Sequence, residues 1–177
     1  GESWLFDRNC KLQGGFAVCF WFTGEHAGDF LVSIGGYSPL APVRAHYPAL
    51  DRVGFNWKVN DAMSLYGRAY LTLDRYSLQL GAAAGLSYRT AKVTLEAHFS
   101  FDAIVEWAPL YYEARMRISV HVEVRVAITL RLGLDVDVHL WGPPFGARVH
   151  VEVELWPFNP SFTVELEKHL YNESGML

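Results

Sequence analysis

Two cysteines in 177 residues are too few to knit a disulfide framework, and no run of about 18 apolar residues is present to cross a membrane as a helix. Positive charge is also short. Fifteen Lys and Arg stand against 19 Asp and Glu, a formal net charge of −4, and the arginines are interleaved with carboxylates rather than clustered. That pattern removes the electrostatic basis for nucleic-acid binding. No segment of ordinary helix length places apolar residues at three- and four-residue spacing, so helices are not expected. There is no Gly-x-Ser-x-Gly elbow, and Gly35-Gly36 does not open a helix, so an activated serine and a phosphate loop both lack support. The opening residues, Gly1-Glu2-Ser3-Trp4, carry no signal peptide and give no localisation.

What the chain has in quantity is apolar and aromatic side chains, 51% and 15% of residues, which excludes disorder and suits sheet. The clearest pattern runs from Glu113 to Leu140. Every even position from Ala114 to Leu140 is apolar, while the odd positions include Glu113, Arg115, Arg117, His121, Glu123, Arg125, Arg131, Asp135, Asp137 and His139. A period of two is the mark of a half-buried strand with one wet face. A two-residue hairpin turn inside the run would move the apolar set to odd positions, so the unbroken parity excludes one. The run is therefore either one very long bent strand or two strands joined by an odd-length connection near Ala127 to Thr129. Beyond Trp141-Gly-Pro-Pro-Phe-Gly146 the apolar positions become odd, Ala147 to Leu155, as an even loop requires.

Upstream, Gly14-Gly15 between two strand-like segments reads as a two-residue hairpin, which would set Cys10 opposite Cys19 at bridging distance. A disulfide and two buried free thiols are both open at this stage. A long loop with three prolines spans Gly35 to Pro48, and a meander follows: Arg52 to Val59, Met63 to Leu73, Tyr76 to Tyr88 and Lys92 to Trp107. Ala82-Ala83-Ala84-Gly85 leaves room for something bulky, by expectation an aromatic. Pro157-Phe-Asn-Pro160 breaks the chain before a last short strand through Phe162, Val164 and Leu166, with a polar tail beyond.

Gly14-Gly15-Phe16, His26-Ala-Gly-Asp29-Phe30, Gly35-Gly36-Tyr37-Ser-Pro39, Ala45-His46-Tyr47-Pro48 and Leu140-Trp141-Gly-Pro-Pro-Phe-Gly146 occur in that order. In combination they resemble the long bacterial and fungal proteins catalogued as domain of unknown function 6603, over roughly Cys10 to Trp156. The resemblance implies a β-rich piece of a larger protein and carries no catalytic residue across.

Several candidate sites follow from residue type. His46 is the first candidate for a general base or ligand, with Asp51 or Asp29 to orient it. Asp135, Asp137, His139 and His150, with Glu152, form a metal-like set on one face. The competing expectation there is a row of cross-strand ion pairs, Asp137 with Arg148, Asp135 with His150 and Arg131 with Glu154. Trp57, Tyr66, Tyr70 and Trp107 are candidates to line a pocket for an apolar ligand.

The chain from Gly1 to Leu177 thus reads as a single all-β domain, an antiparallel meander forming a curled sheet or partly closed barrel with long C-terminal hairpins. It is expected to be a fragment of a longer protein and a non-catalytic structural or binding module. The alternative is an enzyme or carrier for an apolar small molecule or lipid held inside the sheet. No cofactor is indicated. Expected partners are the remaining parts of a parent protein or copies of itself, joined through exposed edges of the Glu113 to Leu140 run, and a hydrophobic small molecule.

Overall fold

Alternating residues lock each segment into a strand, and short turns make the strands neighbours. The computed structural model describes residues 9–158 and 162–169, so the expected break at Asn159 and Pro160, and the tail beyond His169, lie outside it. Among the described residues eleven strands form: β1 (Cys10–Gln13), β2 (Phe16–Phe20), β3 (Phe30–Ile34), β4 (Val53–Lys58), β5 (Met63–Asp74), β6 (Ser77–Arg89), β7 (Val93–Trp107), β8 (Leu110–Arg125), β9 (Thr129–Gly142), β10 (Gly146–Trp156) and β11 (Phe162–His169). They make one antiparallel sheet in the order β1-β4-β5-β6-β7-β8-β9-β10-β11, with β3 also on β5 and β2 on β3. The sheet is open rather than closed into a barrel. No helix is present among the described residues.

The long alternating run is two strands. Arg125 pairs with Thr129, leaving the three-residue connection Val126-Ala127-Ile128, whose odd length preserves the parity. Both strands are interior, since β8 also pairs β7 and β9 also pairs β10. The run therefore presents no free edge, which removes the basis for edge association there. Among the described residues the outer strands are β1, β2 and β11.

Gly14-Gly15 does not make a hairpin. Cys10 pairs with Trp57 and Phe16 with Ile34; those partners pair in turn with Leu65 and Leu71 of the same strand, β5. β1 and β2 thus run in one direction, end to end, with the two glycines at the junction. The reason is a close approach. A Cβ on Gly14 would come within 2.6 Å of Val53 Cγ2 and 2.8 Å of Val53 Cα, and Gly15 N donates to Asp51 O at 3.1 Å. Cys10 and Cys19 consequently lie on opposite faces of one extended segment, nine residues and roughly 30 Å apart. Both are free thiols.

The register at the β9–β10 hairpin also differs from the expected one by two residues. Trp141 pairs with Gly146, which sets Arg148 against His139, His150 against Asp137 and Glu152 against Asp135. Pro143 and Pro144 have no N–H to give a ladder, so pairing begins one step further out and the loop has four residues.

Across the sheet the two faces are chemically distinct. One carries Phe16, Ile34, Leu71, Leu80, Ala103, Ala114 and Leu140 in a single cross-strand row, with a parallel row through Ala69, Ala82, Phe101, Met116, Val138, Val149 and Leu166. The other face carries the charges, and on its β3–β6 half the Gly35 to Pro48 loop folds over it. There Ser33 and Thr72 Oγ atoms, fully buried, donate to Gly36 O at 3.2 and 2.7 Å, and Ser38 N donates to Gln79 Oε1 at 2.8 Å. Arg52 lies over the Tyr70 ring at 3.9 Å. The best-buried residues, Leu31, Ser33, Thr72, Asp74, Ser38 and Ile104, belong to the charged, loop-bearing side.

Candidate functional site

The turn between β2 and β3 and the proline-rich loop meet at one point. Gly28 N donates to Trp21 O at 2.7 Å and Asp29 N to His26 O at 3.0 Å, which fixes His26 and Asp29 at the base of β3. His46 arrives from the loop, where Tyr47 N donates to Arg44 O at 3.0 Å. Asp29 is buried, and its two oxygens have different partners. Oδ1 accepts from Tyr76 Oη at 3.0 Å and faces Arg75 Nη1 at 3.5 Å; Oδ2 lies 3.2 Å from His46 Nε2. Burial pushes the Asp29 carboxyl up, but the Tyr76 hydroxyl, His46 and Arg75 together outweigh it and hold the group below the ordinary carboxylate range.

His46 is framed by rings. Its imidazole stacks on that of His26 at 3.7 Å and 12°, and meets Trp21 edge-on at 4.9 Å and Tyr47 at 4.7 Å. Its Nε2 is buried and makes no aligned hydrogen bond, although Asp29 is close. One donor atom from each of His26, Asp29 and His46 lies within 4.8 Å of the others. Of the two carboxylates expected beside His46, it is Asp29 that is there.

The other candidates are placed differently. Asp135, Asp137, His139 and His150 all lie on the charged face, but three of them have separate partners. Asp137 accepts from Arg117 Nε at 2.6 Å, Asp135 faces His121 at 3.3 Å, and His139 Nε2 lies 2.9 Å from Glu113 Oε1. His150 lines an open groove with Asp137, His139 and three arginines, Arg115, Arg117 and Arg148. The ion-pair row expected there is thus made largely with β8 instead of β10. Arg148 pairs with Glu167 on β11, and Arg131 with Glu123.

The aromatic set is divided between the two faces of the sheet. Tyr66 and Tyr70 lie on the charged face, where each fills the space over a glycine of β6: a Cβ on Gly85 would sit 2.1 Å from Tyr66 Cε1, and one on Gly81 2.3 Å from Tyr70 Cε1. Of the expected small stretch Ala82 to Gly85, Gly85 thus receives an aromatic from the neighbouring strand, and Gly81 just before it receives another. Trp57 is on the apolar face beside Cys10 and Leu65, and Trp107 closes the end of β7, its Nε1 donating to Arg75 O at 2.6 Å.

The match to a known family covers nearly the whole chain, residues 1–174. The chain belongs to the family of unknown function DUF6603. Comparison with curated proteins and with solved structures gives no match. The family description names no activity, so within DUF6603 the reading rests on this chain's own side chains. His26 was visible only as part of the His26-Ala-Gly-Asp29 motif. Its approach to His46, twenty residues on, depends on how the proline-rich loop folds back, and no local spacing signals that.

Proposed function

We propose that the chain is a structural β-module that works by packing its apolar sheet face against the same face of a second copy. The observation that carries this is the exposure of that face. Phe16, Val18, Val32, Ile34, Leu71 and Leu73 are neighbours across β2, β3 and β5, and each is between 38 and 78% exposed. Phe162, Val164 and Leu166 continue the face on β11 and are exposed as well. Packing between elements of any extent runs only between sheet neighbours, so among the described strands no second layer covers these residues. Monomeric proteins seldom leave apolar patches of more than a few hundred Å² open.

Area supports the same reading. The chain's accessible surface is 12077 Å². A compact monomer of 20.0 kDa exposes about 8700 Å², so the chain carries more open surface than a compact fold leaves, as a sheet without a second layer must. Choice of a second copy follows from symmetry. A two-fold interface brings one patch against itself, and a face whose described strand positions are apolar save Lys168, near the end of β11, has little to repel its own image. The loop-covered, charged faces then point outward, and the paired sheets make a sandwich with a core about 10 Å thick.

Sedimentation equilibrium tests this directly. The expected result is a dimer that dissociates on dilution, and a folded monomer at all concentrations for Val32→Asp combined with Leu73→Asp. A wild-type monomer across the same range, or a dimer that the double substitution leaves intact, overturns the reading.

A further inference from the structure

We propose that His26, Asp29 and His46 form a binding site for one divalent transition-metal ion of the zinc type, with a fourth position open to solvent. The donor set is two imidazoles and a carboxylate, the ligands that suit zinc and its neighbours rather than calcium or magnesium. Distances fit. Zinc bonds to nitrogen and oxygen of about 2.0–2.2 Å place tetrahedral donors roughly 3.3–3.5 Å apart. His46 Nε2 and Asp29 Oδ2 are already 3.2 Å apart, and all three donors fall within 4.8 Å of one another. One ion cannot lie near both ring planes of a parallel stack, so ligation needs the ring of His26, a half-buried residue on a turn, to tilt.

Two further features point to a ligand. His46 Nε2 is buried with no aligned hydrogen bond, an arrangement that leaves a polar atom in want of a partner. And Asp29 is set up as metal-ligating carboxylates are: Tyr76 and Arg75 hold Oδ1, which leaves Oδ2 facing the His46 imidazole. Three protein ligands with an open fourth position make a site that can bind a water or a small anion, and Arg44 and Arg75 line the cleft beside it. This site lies at the loop junction and does not depend on the sheet-face reading.

The experiment is calorimetric titration of the full chain, stripped with chelator and dialysed, using zinc chloride alone. One ion per chain is expected. His26→Ala should weaken binding by on the order of a hundredfold or more, Asp29→Asn likewise, and Tyr76→Phe by roughly tenfold through loss of the orienting hydroxyl. His139→Ala and His150→Ala, in the charged groove, should bind as the wild type does. His26 is not part of the core, so an unchanged metal-free melting temperature for His26→Ala separates lost ligation from lost folding. Cobalt substitution should give the intense visible bands of a four-coordinate ion. Absence of a one-site isotherm, or zinc affinity that is unchanged in folded His26→Ala, or that falls equally in His139→Ala, overturns the proposal.

Discussion

Glu113 shows how single residues hold the charged face. Only about 8% exposed, it accepts from Tyr111 Oη at 2.7 Å and Arg115 Nε at 2.8 Å, with His139 Nε2 at 2.9 Å. Burial raises its carboxyl, and the Tyr111, Arg115 and His139 hydrogen bonds outweigh that and hold it below the usual range. The same carboxylate pushes the Tyr111 phenol up to about 12. A carboxyl lowered on folding contributes stability that is present above its unfolded value, about 4.3, and is lost as pH falls through the lower folded value. Glu113→Gln should therefore destabilise the protein at pH 7 by about 2–3 kcal/mol, because hydrogen bonds to a charged acceptor are replaced. The difference from wild type should shrink toward zero in acid. Denaturant melts at pH 7 and pH 3 check this, and an equal difference at both pH values would show that the charge is not what matters.

At the scale of strands, much of the architecture is legible because a period of two is written directly in the side chains. Alternation gave the meander from β4 to β7 and the even loop after Trp141, and it narrowed the Glu113 to Leu140 run to one bent strand or two strands with an odd connection, of which the pairing of Arg125 with Thr129 makes it two. What was hidden depended on partners distant in sequence. Gly14-Gly15 has the composition of a hairpin turn, but Gly14 is needed because Val53 passes against it and Gly15 lies close to Leu50 and Asp51, all distant from the glycines in sequence. The β9–β10 register was hidden because parity fixes only odd against even, and the missing N–H groups of Pro143 and Pro144 decide between registers two residues apart. Gly35, where the chain leaves β3 for the loop, has φ +76°, and a Cβ there would lie 2.3 Å from Ala69 O and 2.9 Å from Val53 N. Gly35→Ala should cost at least about 2 kcal/mol, from the left-handed backbone together with the clash. A melting temperature within a degree or so of wild type would mean that the β3–β5 junction is looser than its contacts imply. The candidate site followed the same division: the pairing of His46 with Asp29 was one of two options readable from residue type, whereas the entry of His26 required the loop to be folded.

For the whole molecule, the arrangement is a wide single-layer sheet whose enclosed core sits beneath a loop on the charged side, while the apolar side has no cover among the described residues. Among those residues five apolar side chains are buried and twenty-four large ones are exposed, a balance that an isolated domain of this size does not ordinarily sustain. Among the described residues no helix is long and apolar enough to cross a membrane. The balance changes if two copies share their apolar faces, since the rows that run from Phe16 to Leu140 and from Ala69 to Leu166 would then become one core. Substitutions on that face should act on assembly as well as on folding, so that Val32→Asp lowers the melting temperature more at high protein concentration, where the wild type is dimeric, than at low concentration.

The most direct test of this account is an isotope-filtered methyl experiment on dimers mixed from labelled and unlabelled chains, in which only contacts between copies give signal. The account predicts contacts from the methyls of Val18, Val32, Leu71 and Leu73 and none from Leu31, which lies on the loop-covered face. Contacts confined to the outer strands β1 and β11, or no contacts between copies at concentrations where the protein is otherwise folded, would contradict it.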